Sequence, residues 1–341
     1  MSMIKVLLIH PTSAKKSWKS DGTKTYCQGL CNMFIGDGDI KVLPVPRIPL
    51  SKLKVHNNMF NWHNLLSIIK ENNPDIVHVN SYTSFMPAQA LIAAHRLGKK
   101  IVYTAHWHPF CYLWHPYQGK IFFNLIMKPL INKYVDVITT INNEDTAFFE
   151  SFFKEVVQIP HSIPKMSYEG RVVRRNAKMI LFVGSVSAKH KGVEHLYSLP
   201  EGKYEIHCVG FGEMLSRSDI TQHVGIEKEE LDKLYSEASL VVVPSKYEAF
   251  SYVTLEALAH GTPVVISDRV RIADYLEDVR GYSIFTYGNY EEFCNMVDST
   301  IGMEVDTRNV LQLFSQEEIL KKYKSVYLSL VTNAKRKNES L

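Results

Sequence analysis

The sequence predicts two doubly wound α/β domains, each with a parallel sheet covered by helices on both faces. The first observation is a series of short apolar runs of the type found in strands that are buried on both faces. These runs are IKVLLIH (4–10), DIVHVN (75–80), KIVYTAH (100–106), VDVITTI (135–141), MILFVGS (179–185), YEIHCVG (204–210), SLVVVPS (239–245) and PVVIS (263–267). The second is that segments of helical period lie between them: TKTYCQGLCNMF, NWHNLLSIIKEN, AQALIAAHRLG, EKEELDKLYSEA and SYVTLEALAHG.

A third observation places the domain boundary. The strand–helix alternation lapses in PHSIPKMSYEGRVVRRNAK, and a linker is predicted at 161–177. We expect an N-terminal domain over residues 1–165, a C-terminal domain over 166–315, and a C-terminal helix with a polar tail over 316–341. Because ligands gather at the carboxyl ends of parallel strands, the two domains are expected to face each other across a cleft.

Length and composition limit the classes of function. A chain of 341 residues with 45% hydrophobic and 22% charged residues is typical of a soluble protein with two cores. The net charge of +4 is too small to indicate nucleic acid, but it allows an anionic ligand or membrane surface. Five scattered cysteines indicate reduced thiols and a cytoplasmic setting. No segment approaches the roughly 18 apolar residues of a membrane span, so membrane contact is expected to be peripheral.

Two glutamates interrupt the apolar stretch YEAFSYVTLEALAHGTPVV (247–265). Glu248 lies in the turn after a predicted strand, and Glu256 lies about two turns further on, in the next helix. The start of that helix offers free N–H groups and a positive dipole end, which suit a phosphate. Carboxylates beside it can accept hydrogen bonds from sugar hydroxyls. The alternative is that Glu256 pairs with a nearby lysine and Glu248 is a surface residue.

A second strand, glycine turn and helix is predicted in FVGSVSAKHKGVEHL (182–196). Lys189 and Lys191 would lie at the helix entrance, where a cation can neutralise a diphosphate; the alternative is a solvated lysine pair. The turn VGFGEM (209–214) lacks the third glycine of the dinucleotide-binding pattern, which argues against a nicotinamide enzyme.

The N-terminal half offers two further loops. Gly22 precedes a helix in a lysine-rich loop and would permit close approach to a ligand, although a flexible surface loop is the alternative. In TAHWHPFCYLWHPYQGK (104–120), His106 at the strand end is expected to hydrogen-bond a reacting group. The aromatic loop that follows is expected to contact the acceptor, and its histidine spacing matches no common zinc site. The next segment, IFFNLIMKPLINKY, favours either core packing or a membrane interface.

The stretch PSKYEAFSYVTLEALAHGTPVV resembles the signature of the retaining glycosyltransferases of the group 1 family (family 4). The matching positions are Glu248, Phe250, Glu256, Gly261 and Pro263. IVYTAH is similar to the strand that ends in the family's N-domain histidine, VVQIPHSIP to its interdomain strand, and SQEEILKKYKSVYLSLV to its C-terminal helix that crosses back. The resemblance implies the GT-B fold, in which two Rossmann-like domains bind the donor mainly on the C-terminal one and the acceptor mainly on the N-terminal one.

The resemblance also implies roles for individual residues. Glu256 would hold the ribose hydroxyls, Glu248 the transferred sugar and Lys191 the diphosphate, with His106 near the reacting carbon. The catalytic residues are then His106, Lys191 and Glu248. The other expected donor contacts are Gly22, Ser185, Lys189, Gly210, Phe211, His223, Val224, Phe250, Ser251, Tyr252 and Val253. The expected acceptor contacts are Trp107, His108 and Tyr112.

The chain departs from the family pattern at three places. Ser185 stands where the family usually has arginine, and Lys189 is the candidate to supply the missing charge. Ser251 stands where glycine is common, and DRVRIAD replaces the usual glycine pair after the Pro-Val-Val strand.

The expected function is transfer of a sugar, with retention, from a UDP- or GDP-sugar to a glycan, lipid-linked or small-molecule acceptor. No metal or other cofactor is required and nucleic acid is not a partner. The expected location is the cytoplasm, which includes the cytoplasmic face of a membrane. The alternatives are a catalytically weak GT-B subunit that binds the nucleotide sugar, which Ser185 favours, and a sugar-nucleotide epimerase.

Overall fold

The described residues form two six-stranded parallel sheets, each in a unit of its own. A computed structural model describes residues 3–10, 22–44, 62–81, 85–106, 108, 116–164, 175–213 and 217–339. Residues 1–162 together with 316–341 form the first unit, and residues 163–315 form the second. All strand pairs within the two sheets are parallel. The predicted fold class, two doubly wound α/β domains, is confirmed.

The first unit is a sheet in the order β2-β1-β3-β4-β5-β6. Its strands are β1 (Ile4–Ile9), β2 (Ile40–Pro44), β3 (Ile76–Asn80), β4 (Lys100–Thr104), β5 (Val137–Thr140) and β6 (Val156–Gln158). Its helices are α1 (Gly22–Met33), α2 (Trp62–Asn72), α3 (Phe85–Arg96), α4 (Pro116–Phe122), α5 (Lys128–Tyr134), α6 (Asn143–Glu150) and the C-terminal α11 (Gln316–Glu339). A π-helical turn, Phe123–Met127, joins α4 to α5.

The second unit is a sheet in the order β12-β11-β10-β7-β8-β9. Its strands are β7 (Asn176–Val183), β8 (Glu205–Val209), β9 (Ile220–His223), β10 (Ala238–Val243), β11 (Val264–Ser267) and β12 (Tyr282–Phe285). Its α-helices are α7 (Lys228–Glu237), α8 (Tyr252–Ala259), α9 (Tyr290–Thr300) and α10 (Thr307–Leu313). Short 3₁₀ turns occupy Lys189–Lys191, Val193–Ser198 and Arg271–Tyr275.

The apolar runs predicted the central strands and missed those at the edges. Each of the eight runs contains most of one strand, and these strands include the fully buried β3, β5, β10 and β11. The remaining strands, β2, β6, β9 and β12, are the two ends of each sheet, and only β6 was indicated, by the resemblance. An edge strand is partly exposed, so its sequence does not need a continuous apolar run.

The last helix belongs to the core of the first unit. Along α11, Ile319, Tyr323 and Tyr327 are buried against residues of β1, β3 and α1. The Tyr323 hydroxyl lies 2.9 Å from the Tyr26 hydroxyl, and the Tyr327 hydroxyl lies 2.8 Å from Nδ1 of His78. The chain therefore returns to complete the unit with which it began. Among the described residues, no helix has both the length and the apolar character needed to cross a bilayer.

Candidate functional site

The second sheet reverses its direction of growth between β7 and β10, which are neighbours in the sheet but distant in the chain. In doubly wound sheets, ligands bind beyond the carboxyl ends of the strands at such a switch point. The loop after β7 carries Ser185, Lys189 and Lys191, and the loop after β10 carries Ser245 and Glu248. The fold thus brings two of the loops singled out in the sequence to one place.

Lys191 and Glu248 form an ion pair at this switch point. Nζ of Lys191 lies 2.7 Å from Oε1 of Glu248, and their side chains are 24% and 13% exposed. The Ser245 hydroxyl donates to the same carboxylate oxygen at 2.9 Å. The pair is open enough to be reached by a ligand and buried enough for its charges to act strongly. Glu248 is therefore not the exposed surface residue of the alternative reading.

The Glu248 carboxylate is ionised despite its burial. Burial raises its pKa, but the charge of Lys191 and hydrogen bonds from Lys191, Ser245 and Ser251 outweigh that effect and hold the pKa below its ordinary value. The backbone of Glu248 is also fixed, because its N–H donates to the Arg269 carbonyl at 3.1 Å and its carbonyl accepts from Arg271 at 2.9 Å. This side chain is a preorganised anion that can accept sugar hydroxyls.

The helix predicted in this segment is present only as two short 3₁₀ turns. Residues Lys189–Lys191 form one 3₁₀ turn, and Gly192, in the left-handed conformation at φ 69°, separates it from a second over Val193–Ser198. A left-handed residue cannot continue a right-handed helix. Lys189 is exposed, as in the alternative of a solvated lysine, while Lys191 is directed to Glu248.

The helix that does follow a strand-end loop here is α8. Its N-cap, Ser251, accepts a hydrogen bond from the Thr254 N–H at 3.3 Å. Ser251 has φ 98° and ψ 92°, a backbone that favours glycine, the residue common at this position in the family that the sequence resembles. Phe250 is 3% exposed and packs on Tyr275 and Phe314, so its side chain supports the loop from the core. Tyr252 and Val253, in the first turn, are half-buried.

The glycine turn after β8 packs directly on the loop after β7. A Cβ on Gly210 would lie 1.9 Å from the Gly184 carbonyl oxygen, so only glycine permits this approach. The carbonyl of Phe211 accepts from the Val186 N–H at 2.9 Å and from the Ser185 hydroxyl at 3.3 Å. The Phe211 side chain is 38% exposed. Ser185 therefore helps to join the two loops.

The end of β9 borders the same turn. The His223 carbonyl accepts from the Gly210 N–H at 3.0 Å, and the His223 ring stacks on His207, with the two rings joined by a 3.0 Å hydrogen bond. Burial, followed by the charge of His223, lowers the pKa of His207. Val224 is 55% exposed. Two exposed apolar side chains, Phe211 and Val224, thus lie on neighbouring loops beyond β8 and β9.

Glu256 joins α7 to α8 through both carboxylate oxygens. Oε1 accepts from Nζ of Lys228 at 2.9 Å, and Oε2 accepts from the Tyr235 hydroxyl at 2.9 Å. Lys228 also pairs with the fully buried Asp232 at 2.7 Å. Glu256 therefore does pair with a lysine, as the alternative reading held. Because a carboxylate offers about four lone pairs, acceptor capacity remains for a ligand hydroxyl.

In the first unit, His106 follows β4 and contacts the end of β3. Its Nε2 lies 2.8 Å from Oδ1 of Asn80. Nδ2 of Asn80 donates to the carbonyls of Ile9 and His78 at 3.3 and 3.4 Å, which orients the amide with Oδ1 towards His106. Nε2 of His106 therefore carries the proton, and Nδ1 is left as an acceptor. Nδ1 is buried without a hydrogen-bond partner among the described residues.

His106 is held neutral and in a strained backbone. Burial lowers its pKa well below the ordinary value, and three neighbouring imidazoles add to the effect: His161, His10 and His78. Its φ is 61°, a left-handed value uncommon outside glycine. The Tyr26 ring contacts it edge-on, with ring centroids 4.4 Å apart. Strained, unprotonated histidines of this kind are concentrated at functional sites.

The other predicted residues of the first unit are less fully described. Gly22 is exposed at the start of α1, and the His108 ring packs on Phe148 with centroids 5.1 Å apart. Trp107 and Tyr112 lie outside the described residues. Sequence reasoning did not single out Asn80, although its position at the end of an apolar run was the available signal.

Among the described residues, no group of three or more histidine, cysteine, aspartate or glutamate side chains could hold a metal ion together. In the Asp-Gly-Asp segment before β2, Oδ1 of Asp37 accepts from the N–H groups of Asp39 and Ile40 at 2.9 Å and closes a turn. Nζ of Lys324 pairs with both aspartates, at 3.0 and 2.7 Å.

Two family models match the chain, one on each unit. The model described as "Glycosyltransferase Family 4" matches residues 23–163, and the model described as "Glycosyl transferases group 1" matches residues 177–301. An uncharacterized glycosyltransferase of Methanocaldococcus jannaschii is 38% identical over 111 residues, which are 28% of this chain and 28% of that protein. The match to this relative therefore spans little more than a quarter of its length.

Solved structures resemble the chain over nearly its whole length. The sucrose-phosphate synthase of Thermosynechococcus elongatus has a TM-score of 0.73 and 17% identity, covering 97% of this chain and 100% of that one. HepE of Anabaena, solved in complex with UDP, has a TM-score of 0.66 and 15% identity, covering 96% and 100%. At these identities the likeness shows the fold, which is the GT-B architecture implied by the resemblance.

Proposed function

Because the chain belongs to the group 1 and family 4 glycosyltransferases, we propose that it transfers a sugar from a nucleotide-diphosphate sugar to an acceptor hydroxyl with retention of configuration. The observation that carries this proposal is the Lys191–Glu248 pair, with Ser245, at the switch point of the second sheet. It places a cation for a diphosphate beside an anion for sugar hydroxyls. The donor is a UDP- or GDP-sugar.

In the proposed complex, the Lys191 ammonium binds the diphosphate in place of the Glu248 carboxylate. The ammonium pairs with the Glu248 carboxylate in the free protein, and a diphosphate carries more charge with which to compete for it. Glu248 then offers its oxygens to the sugar. N–H groups at the start of α8, near Tyr252 and Val253, and the exposed Lys189 complete the anion site.

The rest of the donor is assigned to the neighbouring loops. The ribose hydroxyls bind Glu256, whose carboxylate is already oriented by Lys228 and Tyr235. The base lies by Gly210, His223 and the exposed side chains Phe211 and Val224. Ser185 and Ser251 contribute hydroxyl groups beside the diphosphate and the sugar.

We assign the acceptor to the first unit. His106, neutral and with Nδ1 as an unpaired acceptor among the described residues, receives a hydrogen bond from a sugar hydroxyl near the reacting carbon. That bond removes the cost of a buried atom without a partner. Gly22 allows close approach of its loop, and Trp107, His108 and Tyr112 contact the acceptor, which is a glycan, a lipid-linked sugar or a small molecule.

The proposed chemistry needs no metal ion and no covalent intermediate. The bond between the anomeric carbon and the diphosphate breaks, and the diphosphate leaves with the electron pair. The oxygen of the incoming hydroxyl forms the new bond to the anomeric carbon on the same face of the sugar, and its proton passes to the departing diphosphate. Lys191 and the backbone N–H groups stabilise the charge that develops on the leaving group, which is the main catalytic contribution. The location we propose is the cytoplasm or a membrane face within it.

A second candidate is a nucleotide-sugar-binding subunit with little activity. It is favoured by Ser185, whose hydroxyl donates to the Phe211 carbonyl at a position where the family usually has a cation. An epimerase remains the third candidate, and it differs in needing no acceptor. Release of the nucleotide only when an acceptor is added distinguishes transfer from both.

The test combines a donor screen with a lysine variant. Thermal shift and nucleotide release are measured with UDP-, GDP-, ADP- and TDP-sugars, since a bound donor raises the melting temperature by mass action. Lys191→Met is expected to lower turnover about 100-fold because one charge-stabilising group is lost. The matched control is Lys178→Met, at an exposed position of β7, which should leave turnover unchanged. No binding of any donor, or equal losses in the two variants, would contradict the proposal.

A further inference from the structure

A helical segment of the first unit exposes an apolar row that no described part of the protein covers. Helix α4, the π turn and α5 run without a break from Pro116 to Tyr134, because Phe122 and Lys128 at the junctions keep helical backbone angles. Along it, Tyr117, Ile121 and Leu125 are 81%, 58% and 72% exposed. These side chains recur at intervals of four residues, so they lie on one side of the helix.

The opposite side of the same segment is anchored in the core. Phe123, Met127 and Ile131 are fully buried with residues of α3, β4 and α6. The π turn contributes to both sides, with Phe123 and Met127 in the core and Leu125 at the surface. Phe85, 42% exposed, contacts Phe122 edge-on with centroids 5.0 Å apart and extends the apolar area. Core packing therefore explains one face of the segment and leaves the other unexplained.

The charge around this row is entirely positive in the sequence. Residues 76–135 contain no aspartate or glutamate. Lys120 and Lys133 are exposed on the segment, and Nζ of Lys128 lies 4.3 Å from the centre of the Phe152 ring. A helix with exposed apolar and aromatic residues, flanked by lysines and lacking acids, has the composition that binds anionic lipid surfaces.

We propose that residues 116–134 lie along an anionic phospholipid surface, with Tyr117, Ile121 and Leu125 in the headgroup and acyl boundary and Lys120 and Lys133 at the phosphates. Attachment of this kind is peripheral and reversible. Its attraction depends on salt, because the phosphate contacts are electrostatic. The further step, that the acceptor is carried by a lipid, rests on the proposed function, whereas the attachment does not.

The experiment is flotation of the full chain with vesicles. Phosphatidylcholine vesicles with and without about 30% phosphatidylglycerol distinguish anionic from neutral surfaces. The parent protein is expected to float with the anionic vesicles and to be released at about 1 M salt, where electrostatic attraction is screened. The triple variant Tyr117→Ser/Ile121→Ser/Leu125→Ser should lower the partition of the protein onto anionic vesicles at least about tenfold. Lys120→Ala and Lys133→Ala should each lower it about fivefold, on anionic vesicles only.

The matched control removes exposed apolar side chains from the second unit. Met303, Leu311 and Leu313 are 40%, 36% and 42% exposed, and Met303→Ser/Leu311→Ser/Leu313→Ser should bind vesicles like the parent. Equal losses in the two triple variants, or no flotation of the parent, would overturn the proposal. The proposal would also be overturned if the parent is a dimer and Tyr117→Ser/Ile121→Ser/Leu125→Ser is a monomer, because the apolar row would then bind a second copy of the chain.

Donor binding separates this inference from the proposed function. Each variant is assayed for UDP and GDP binding by calorimetry and for folding by circular dichroism, and Tyr117→Ser/Ile121→Ser/Leu125→Ser is expected to match the parent in both. A parent that floats with anionic vesicles but binds no nucleotide sugar would support membrane attachment and contradict the transfer reaction.

Discussion

At the scale of single residues, three positions in the loops of the candidate site have positive φ values. Ser251, His106 and Gly192 have φ values of 98°, 61° and 69°. Each lies in a loop beyond the carboxyl end of a strand, where the chain changes direction sharply. Only Gly192 has the residue type that such a conformation favours, so the other two positions hold strain that the surrounding contacts must offset.

A substitution at Gly192 tests how closely the loop after β7 that carries Lys189 and Lys191, here called the lysine loop, packs on its neighbours. A Cβ there would lie 1.8 Å from the Pro244 carbonyl oxygen, so Gly192→Ala must displace the loop after β10 or the lysine loop itself. We expect a loss of about 3 kcal/mol or more in the free energy of unfolding, measured by urea denaturation followed by circular dichroism.

Gly202→Ala provides the control for this substitution. Gly202 has φ 77°, but a Cβ there would meet nothing within 4 Å, so only the left-handed conformation is penalised, at about 1 kcal/mol. If the two variants lose the same stability, the close packing of the lysine loop on Pro244 does not contribute.

At the scale of elements, one arginine ties the end of α8 to the start of two strands. Nη1 of Arg175 donates to the Ala238 carbonyl at 2.9 Å and to Oγ1 of Thr262 at 2.6 Å. Nη2 donates to the carbonyls of His260 and Gly261 at 3.1 and 2.8 Å. His260 is the C-cap of α8, the helix that carries Glu256, and Gly261 follows it, so their carbonyls have no partner within the helix. Arg175 thus sets the position of α8 relative to β7 and β10.

Loss of the Arg175 hydrogen bonds should destabilise the second unit. Arg175→Met is expected to lower the free energy of unfolding by about 3 kcal/mol, because several charged hydrogen bonds are lost and carbonyls stay partly buried. Arg175→Lys should restore little, since an ammonium cannot form the same planar fork. Urea denaturation followed by circular dichroism measures both.

The control is Arg308→Met, at an exposed position of α10, with an expected change within about 0.5 kcal/mol. An Arg175→Lys variant as stable as the parent would show that charge alone, without the fork, holds the end of α8.

At the scale of the whole molecule, acid should act on the first unit through its buried histidines. Burial lowers the pKa of His78 and of His161 from 6.5 to about 3, and lowers that of His106 well below 6.5. Unfolding returns them to water, so below about pH 6.5 the unfolded state binds more protons. Their contribution to stability is therefore complete above about pH 6.5 and is lost as the pH falls towards about 3.

Tryptophan fluorescence can follow this unit alone, because Trp18, Trp62, Trp107 and Trp114 all fall within residues 1–162. Urea denaturation between pH 7 and pH 4 should show a free energy of unfolding that falls with pH. His161→Gln should reduce the slope by about 1.4 kcal/mol per pH unit. A slope that does not change in this variant would show that His161 is not a buried neutral group.

The central strands and the loops at their ends could be predicted because they depend on local pattern. A strand buried on both faces must be apolar throughout, as β10 is, and the polar residues that follow it stand out in the sequence. The edge strands β2, β9 and β12 could not be found in this way, because partial exposure removes the signal. The helix predicted around Lys191 is divided into two 3₁₀ turns for a local reason as well, because Gly192 takes a left-handed conformation that the neighbouring residues do not indicate.

The sequence by itself determined the α/β class and which loops carry chemical groups, because burial of parallel strands and the residues at strand ends are encoded over short stretches. Only the tertiary structure decided the partners: Glu248 with Lys191, Glu256 with Lys228 and Tyr235, and His106 with Asn80. The physical reason is the order of the strands. Neighbours such as β7 and β10 are far apart in the chain, so the charges at their ends meet only when the sheet is assembled.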